Sequence, residues 1–236
     1  MLGHWTAERL DKLLQKSSAL SDISVRIDFL SKQFLDVPYK ESTLIGDVNT
    51  DEVFVINLEG VDCFTLLDYV EALSVSKSFS EFKENLVNIR YRSGVIAFET
   101  RNHFFTDWKE FNPGFIDDVT EDISEGNTEK ITKNLNERDD KSYLLPGVPC
   151  RARELAYIPS SVIDERISGM LQTGDYVGIY SEKEGLDVSH VGILIRNYDA
   201  VSIRHASSRY GKVVDEDFQK YIDDKPGIIV LRPGRF

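Results

Sequence analysis

The chain has 236 residues, of which 41% are hydrophobic and 29% are charged, and its formal net charge is −12. These values are typical of a folded, globular protein and exclude a disordered or collagen-like chain. The excess of negative charge repels nucleic acid, so no nucleic-acid partner is expected. No apolar run approaches the roughly 20 residues that span a bilayer, so the sequence predicts no transmembrane segment.

The N-terminal segment, residues 1–35, is predicted to form helices. Leu10, Leu13 and Leu14 share one helical face, and residues 27–34 repeat the pattern. Turn-forming residues then interrupt the period, so a loop is expected before the apolar run VFVINL, which predicts a short strand.

A further helix is predicted to begin at Cys63, in the stretch EGVDCFTLLDYVEAL. The leucines of this stretch share one helical face, and Asp62 occupies the N-cap position. The positive end of the helix dipole favours a thiolate, so this position is expected to lower the pKa of Cys63. Free N–H groups there could also bind an oxyanion, which makes Cys63 a candidate nucleophile for acyl transfer. Cys150, the other cysteine, is interpreted as a small core residue.

The second half of the chain changes to strand-like patterns. Four candidates are YVGIY, HVGILIRN, VSIRHAS and GIIVLRP, separated by turn-forming residues. Helices followed by consecutive strands predict an α+β fold with a mainly antiparallel sheet. Residues 117–141 are acidic and polar, so they are predicted to form a surface insert or flap. Residues 1–236 are expected to form a single domain.

Two of the four histidines lie on neighbouring strand candidates. His190 opens HVGILI and His205 lies in IRHASS, so antiparallel pairing through the NYDA turn would bring their rings together. His190 would then accept the proton of Cys63 as a general base, and His205 would hold His190 in the required tautomer. His103 lies between aromatic residues and is either a core residue or part of a cleft.

These motifs resemble the NlpC-type cysteine peptidases that cut bacterial cell-wall peptides, because VDCFTLLDYVEAL is followed by HVGILI and then by HASSRYG. The resemblance implies a papain-like core in which the helix that bears the nucleophile packs on the antiparallel sheet. It also implies a catalytic triad of Cys63, His190 and His205. No cofactor is expected.

The strings VPYKESTL, INLEGVDCFT, IRYRSG, RNHFFTDW and TGDYVG resemble, more specifically, the N-acetylmuramoyl-L-alanine amidase-like branch. This resemblance covers the chain from about residue 37 to the C-terminus. It implies that Tyr39 lines the substrate site and that Asn102 and His103 belong to a branch-specific stretch, where we assign them to substrate binding.

Two departures from the wider superfamily bear on specificity. Phe64 and Thr65 stand where most members carry a Ser-Gly pair, which is a reason to question endopeptidase specificity. Cys63 also precedes both histidines of the triad, whereas the permuted lipid-acyltransferase relatives place histidine before cysteine, so that relative is disfavoured.

Neighbours of the triad are further candidates for substrate contacts: Asp62, Ser189, Arg204 and Ser207. Peptidoglycan stems carry carboxylates, and Arg204 could bind them although the chain as a whole is acidic. The alternative is that the cations near His205 are solvated surface charges.

The leading hypothesis is a cysteine amidase that acts on peptidoglycan or muropeptides, foremost at the amide between N-acetylmuramic acid and L-alanine, through a thioester on Cys63. The alternatives are a γ-D-glutamyl-diamino acid endopeptidase with the same triad and a non-catalytic wall-binding module. Zinc binding by the cysteine and the histidines is disfavoured, because no ligand pair has short spacing. The compartment is the cell envelope if a signal was removed and the cytoplasm otherwise, and the oligomeric state is left open.

Overall fold

The structure is a computed structural model that describes residues 1–112, 114–198 and 200–234. The helices of this part are α1 (Ala7–Ser18), α2 (Ile23–Ser31), α3 (Cys63–Ser74), α4 (Phe79–Arg90), α5 (Phe105–Phe111), α6 (Thr120–Ile123), α7 (Glu165–Met170) and α8 (Phe218–Ile222). The strands are β1 (Ile45–Asp47), β2 (Thr50–Val53), β3 (Ile116–Asp118), β4 (Glu129–Leu135), β5 (Arg151–Pro159), β6 (Tyr176–Tyr180), β7 (Val188–Asn197), β8 (Ala200–Ser207), β9 (Lys212–Asp217) and β10 (Gly227–Pro233). None of the described helices is long and apolar enough to cross a membrane.

The main sheet has the strand order β4-β5-β10-β6-β7-β8-β9, and β3 also pairs with β10. These strands pair antiparallel, while β1 and β2 form a separate hairpin. The prediction of an α+β fold with a mainly antiparallel sheet is confirmed. The four strand candidates correspond to β6, β7, β8 and β10. Strands β7 and β8 pair as predicted, although Asp199 in the turn between them lies outside the described residues.

Helix α3 is the central element of the core. Its residues from Thr65 to Ser74 are all buried. Its apolar side chains share one hydrophobic cluster with those of α1, α2, α4 and strands β6 to β8. Burial of this surface is the main stabilising contribution. It also fixes the helix that begins at Cys63 against the strands that carry His190 and His205.

The opposite face of the sheet is covered as well. Side chains of α6, α7 and α8 pack there against Val177, Ile179, Leu194 and Ile203. Because the central strands are buried on both faces, every residue of β6 is buried. This explains why the central strands read in the sequence as nearly continuous apolar runs.

The prediction that VFVINL forms a strand is wrong. Only Val53 belongs to β2, and residues 54–58 have no regular structure. Backbone groups of this segment form hydrogen bonds with side chains and not with a neighbouring strand. Arg90 donates to the Val55 carbonyl at 2.7 Å, and the Asn57 N–H donates to the Tyr69 hydroxyl at 2.8 Å.

Residues 117–141 contribute to the main sheet instead of forming the expected surface insert or flap. Strand β3 pairs with β10, and β4 pairs along its whole length with β5. Strand β4 lies at the edge of the sheet, and most of its side chains are exposed. Its composition is polar because most of its side chains face solvent, and backbone hydrogen bonds to β5 hold it in the sheet.

Candidate functional site

Cys63 is the first residue of α3, and a capping box fixes the start of this helix. The Thr65 N–H donates to the Asp62 carboxylate at 2.7 Å, and the Asp62 N–H donates to the Thr65 hydroxyl at 3.0 Å. Asp62 therefore caps the helix. Phe64 packs edge-on against Trp108, with ring centroids 5.8 Å apart. The two residues that depart from the usual Ser-Gly pair thus stabilise the position of the cysteine.

The sulfur of Cys63 lies against the strand that carries His190. The backbone N–H groups of Cys63, Phe64 and Val191 lie close enough to the sulfur to favour its thiolate form. The first two belong to the start of α3, and the third follows His190 on β7. The fold therefore brings the thiol next to the backbone at His190.

The pKa of Cys63 is raised from its ordinary value of 9.0 to about 12, which corrects the expectation of a lowered pKa. Burial of the thiol is the main cause, and the negative charge of Asp62 adds to it. The N–H groups act in the opposite direction with a smaller effect. The dipole argument failed because it left out burial and the charge of the capping residue itself.

His190, His205 and Glu216 form a hydrogen-bonded chain. His190 Nε2 lies 2.7 Å from His205 Nδ1, and His205 Nε2 lies 2.8 Å from Glu216 Oε1. The two imidazole rings are perpendicular, with centroids 4.9 Å apart. The prediction that strand pairing brings these rings together is confirmed. Glu216 was missed, because the strand β9 on which it lies was not predicted.

Both histidines are neutral at neutral pH. Burial, together with the positive charges of His205 and Lys225, lowers the pKa of His190 to about 3. Burial also lowers the pKa of His205, although the Glu216 carboxylate acts in the opposite direction. The resting site thus holds a neutral thiol and two neutral imidazoles.

An open cleft of about 630 Å³ borders the two histidines. Ser207 lines it together with polar and charged residues of β9, α8 and the segment that follows α8. The Tyr221 ring lies 5.0 Å from the His205 ring and 6.2 Å from the His190 ring, measured between centroids. Burial raises the pKa of the Tyr221 phenol, and the negative charges of Glu216 and of a Cys63 thiolate add to this effect.

Tyr39 lies close enough to Cys63 for the two side chains to interact by charge, and its predicted place in the substrate site stays a prediction. Its backbone bridges to Val61, and its hydroxyl donates to Glu41 at 3.2 Å. Burial and Glu41 raise its pKa to about 12, and the negative charges of Cys63 and Asp62 contribute. A second open cleft of about 670 Å³ adjoins Asp62, between the β1–β2 hairpin and the segments that carry Arg101 and Leu145.

Arg204 does not face the cleft, which corrects its assignment as a substrate-binding residue. Its side chain is only 4% exposed and pairs with Asp215 at 2.8 Å and with Asp28 at 3.0 Å. Adjacent residues on a strand point to opposite faces, so Arg204 points away from the side to which His205 points. The alternative of a solvated surface charge is also wrong, because the buried side chain of Arg204 links α2 to the sheet through its ion pairs with Asp28 and Asp215.

The other predicted contact residues differ in their surroundings. Ser189 is exposed beside His190, and Ser207 is buried at the wall of the histidine cleft. Asn102 is buried and donates to the Ile89 carbonyl at 2.8 Å. His103 Nε2 lies 2.7 Å from the Phe98 carbonyl, and burial lowers its pKa to about 4. These bonds of Asn102 and His103 organise the end of α4 and the turn after it, and a substrate contact by either residue stays a prediction.

Within residues 1–112, 114–198 and 200–234, no group of three or more His, Cys, Asp or Glu side chains has a geometry that could hold a metal ion.

The model of the AmiA-like, N-acetylmuramoyl-L-alanine amidase-like family matches residues 29–228. The chain belongs to this family. The amidase-like branch inferred from the sequence motifs is therefore confirmed, while the wider placement among NlpC-type, papain-like proteins stays a prediction.

Solved structures give the same fold. An N-acetylmuramoyl-L-alanine amidase from Bacteroides uniformis is 29% identical, with 96% of this chain and 99% of that chain covered and a TM-score of 0.75. A protein from Bacteroides fragilis, provisionally named a xylanase, is 30% identical over 86% of this chain and 98% of its own, with a TM-score of 0.73. A protein from Legionella pneumophila has a TM-score of 0.82 at 22% identity, with 98% and 95% covered, and shares the fold. No curated protein matches the chain.

Proposed function

We propose that this protein is a cysteine amidase that hydrolyses bacterial peptidoglycan or its muropeptide fragments, at the amide between N-acetylmuramic acid and L-alanine. The observation that carries this proposal is the hydrogen-bonded chain from His190 through His205 to Glu216, together with Cys63 at the start of the helix that packs against the strands of both histidines. A thiol beside an oriented imidazole is the arrangement that nucleophilic acyl transfer needs. Family membership and the amidase from Bacteroides uniformis support the class of bond.

The first step forms the thioester. Cys63 Sγ attacks the carbonyl carbon of the muramic acid lactyl group, and His190 takes the thiol proton. Because the resting thiol and imidazole are both neutral, proton transfer accompanies formation of the carbon–sulfur bond. Backbone N–H groups at the start of α3 can donate to the oxyanion of the tetrahedral intermediate. The carbon–nitrogen bond then breaks, and the L-alanine amine leaves with the proton from His190.

The second step hydrolyses the thioester. His190, now neutral, takes a proton from water, and the resulting hydroxide attacks the thioester carbon. The carbon–sulfur bond breaks, Cys63 recovers its proton, and the muramic acid carboxylate is released. The products are a peptide with a free L-alanine amine and a muramyl sugar without its stem.

Mass spectrometry of defined muropeptides tests the proposal. Wild-type protein should release the L-alanine-headed peptide, and Cys63→Ala should lose this activity while keeping its fold by circular dichroism. Cys150→Ala is the matched control, because this cysteine is exposed, which corrects its interpretation as a core residue, and does not line the histidine cleft; the variant should retain full activity.

Other products would contradict the proposal in distinct ways. An L-alanine–D-glutamate stub left on the sugar would identify the endopeptidase. Muropeptide binding without cleavage would identify a wall-binding module. Release of sugars from xylan would favour the name given to the relative from Bacteroides fragilis. Full activity in Cys63→Ala would remove the cysteine from the mechanism.

A further inference from the structure

A neutral imidazole has one N–H and one lone pair, so a pair of histidines needs a third group to decide where the protons lie. His190 and His205 approach through Nε2 of the first and Nδ1 of the second. If His205 carried its proton on Nδ1, His190 would have to accept through Nε2, and its remaining nitrogen Nδ1 would carry a proton. His190 could then take no proton from a thiol.

Glu216 lies where it can settle this choice. It occupies β9 as the register partner of Ile203, two residues from His205 on β8, so both side chains lie on the same face of the sheet. Its Oε1 is 2.8 Å from His205 Nε2, and the carboxylate is only 24% exposed. An ionised carboxylate can only accept, so His205 must donate from Nε2 and keep Nδ1 free.

We propose that Glu216 is a positioning residue that fixes the tautomers of both histidines and so leaves His190 Nδ1 free to act as the base. With His205 Nδ1 bare, His190 must donate to it from Nε2, and the lone pair of His190 remains on Nδ1. The same carboxylate stabilises the positive charge that arises when His190 takes a proton. The catalytic part of this proposal rests on the proposed function, whereas the tautomers do not.

The other charges around the pair do not replace Glu216. Lys225 acts on His190 with a positive charge, which opposes protonation. Asp215 acts on His205 through its charge, but its carboxylate is bound bidentately by Arg204. Tyr221 contacts both rings by its aromatic face or edge. Glu216 is thus the acidic group that hydrogen-bonds the pair among the described residues.

Nitrogen-15 NMR of histidine-labelled protein tests the tautomers without any substrate. The chain has only four histidines, so His4→Gln and His103→Gln leave two to assign. We expect both His190 and His205 to carry hydrogen on Nε2 at neutral pH. In Glu216→Gln the amide can accept or donate, so a mixture that includes the Nδ1–H form of His205 is expected. Unchanged tautomers in this variant, or Nδ1–H in wild-type protein, would overturn the proposal.

Kinetics test the consequence for the reaction. Glu216→Gln should lower kcat on the order of 10²-fold, with KM nearly unchanged, because the proposed role of Glu216 acts through its hydrogen bond to His205. Glu154→Gln is the matched control, since it makes the same substitution at an exposed strand position outside the histidine cleft and should leave kcat within twofold. Wild-type kcat in Glu216→Gln would refute the positioning role. If wild-type protein cleaves no muropeptide, the proposed function fails and the NMR result still decides the role of Glu216.

Discussion

The raised pKa of Cys63 makes a quantitative prediction about its reactivity. A shift from 9.0 to about 12 lowers the thiolate fraction at neutral pH by about a thousandfold. A more basic thiolate is intrinsically more nucleophilic, with a Brønsted slope of about 0.4–0.5, which recovers roughly 20- to 30-fold. Cys63 should therefore react with a small aromatic disulfide roughly 30- to 60-fold more slowly than N-acetylcysteine amide at pH 7.

Asp62→Asn isolates the electrostatic part of this effect. Asparagine is an equally good N-cap, so it keeps the hydrogen bond to the Thr65 N–H while it removes the negative charge beside the sulfur. The pKa of Cys63 should fall and its reaction should accelerate. Glu59→Gln is the matched control: Glu59 is exposed and is not one of the main causes of the raised pKa of Cys63, so its substitution should change little.

The assay follows release of the aromatic thiol by absorbance between pH 5 and pH 10, in a Cys150→Ala background so that only Cys63 reacts. The rate should rise about tenfold per pH unit through pH 9, because only the thiolate reacts. A rapid rate that is independent of pH from 5 to 8 would refute the reasoning, since it would mean a preformed thiolate–imidazolium pair. A slow reaction of Cys63 with the disulfide is therefore expected of the amidase as well as of a non-catalytic module. Analysis of the muropeptide products has to distinguish the two.

Two further predictions concern stability. Burial raises the pKa of Glu71, whose carboxylate accepts from the Tyr176 hydroxyl, to about 7 from 4.5. The folded state thus binds this proton more tightly than the unfolded state. The resulting contribution to the free energy of unfolding is complete below about pH 4.5 and is lost as the pH rises through 7. Between pH 5.5 and pH 8 urea denaturation should show a loss of about 2 kcal/mol that Glu71→Gln abolishes, and an equal loss in the variant would contradict the assignment. Arg204→Gln should lower the free energy of unfolding by about 2 kcal/mol, less than for a fully buried pair because Asp28 and Asp215 reach solvent, and should leave KM unchanged. If Arg204→Gln kept its stability but had a raised KM, Arg204 would be a substrate-binding residue after all.

The strands that could be predicted from the sequence are those whose side chains are buried. Strands β6, β7, β8 and β10 read as apolar runs because helices cover both faces of the central sheet. Strands β4, β5 and β9 each contain several charged residues, and backbone hydrogen bonds to a neighbouring strand define them. Composition contains no signal for such pairing, so the sequence predicts a surface insert at 117–141 where the structure has strands. Whether residues 1–236 form one domain stays a prediction.

The candidate site was predictable where it depended on local sequence, and it was missed where it depended on register. Asp62 and the apolar period after Cys63 predict the start of α3, and the strand pattern predicts the meeting of His190 and His205. Glu216 reaches His205 only through the register of β8 with β9, which no local pattern reveals. The alternation of a strand that runs through KVVDED could have placed Glu216 on one face, had that strand been recognised.

The neutral resting state and the hydrogen-bonded chain from His190 to Glu216 together indicate how the site controls ionisation of the Cys63 thiol. Burial disfavours charge on both Cys63 and His190, so separating a proton between them is costly before substrate binds. The groups that stabilise the two charges lie at opposite ends of the site: N–H donors at the sulfur and a carboxylate beyond the second histidine. We infer that charge separation becomes favourable only as the carbon–sulfur bond forms, because that step removes the negative charge from sulfur and passes it to the oxyanion. If Cys63 is the nucleophile, as proposed, a thiol controlled in this way would react with a correctly bound carbonyl and stay protonated towards other electrophiles between turnovers.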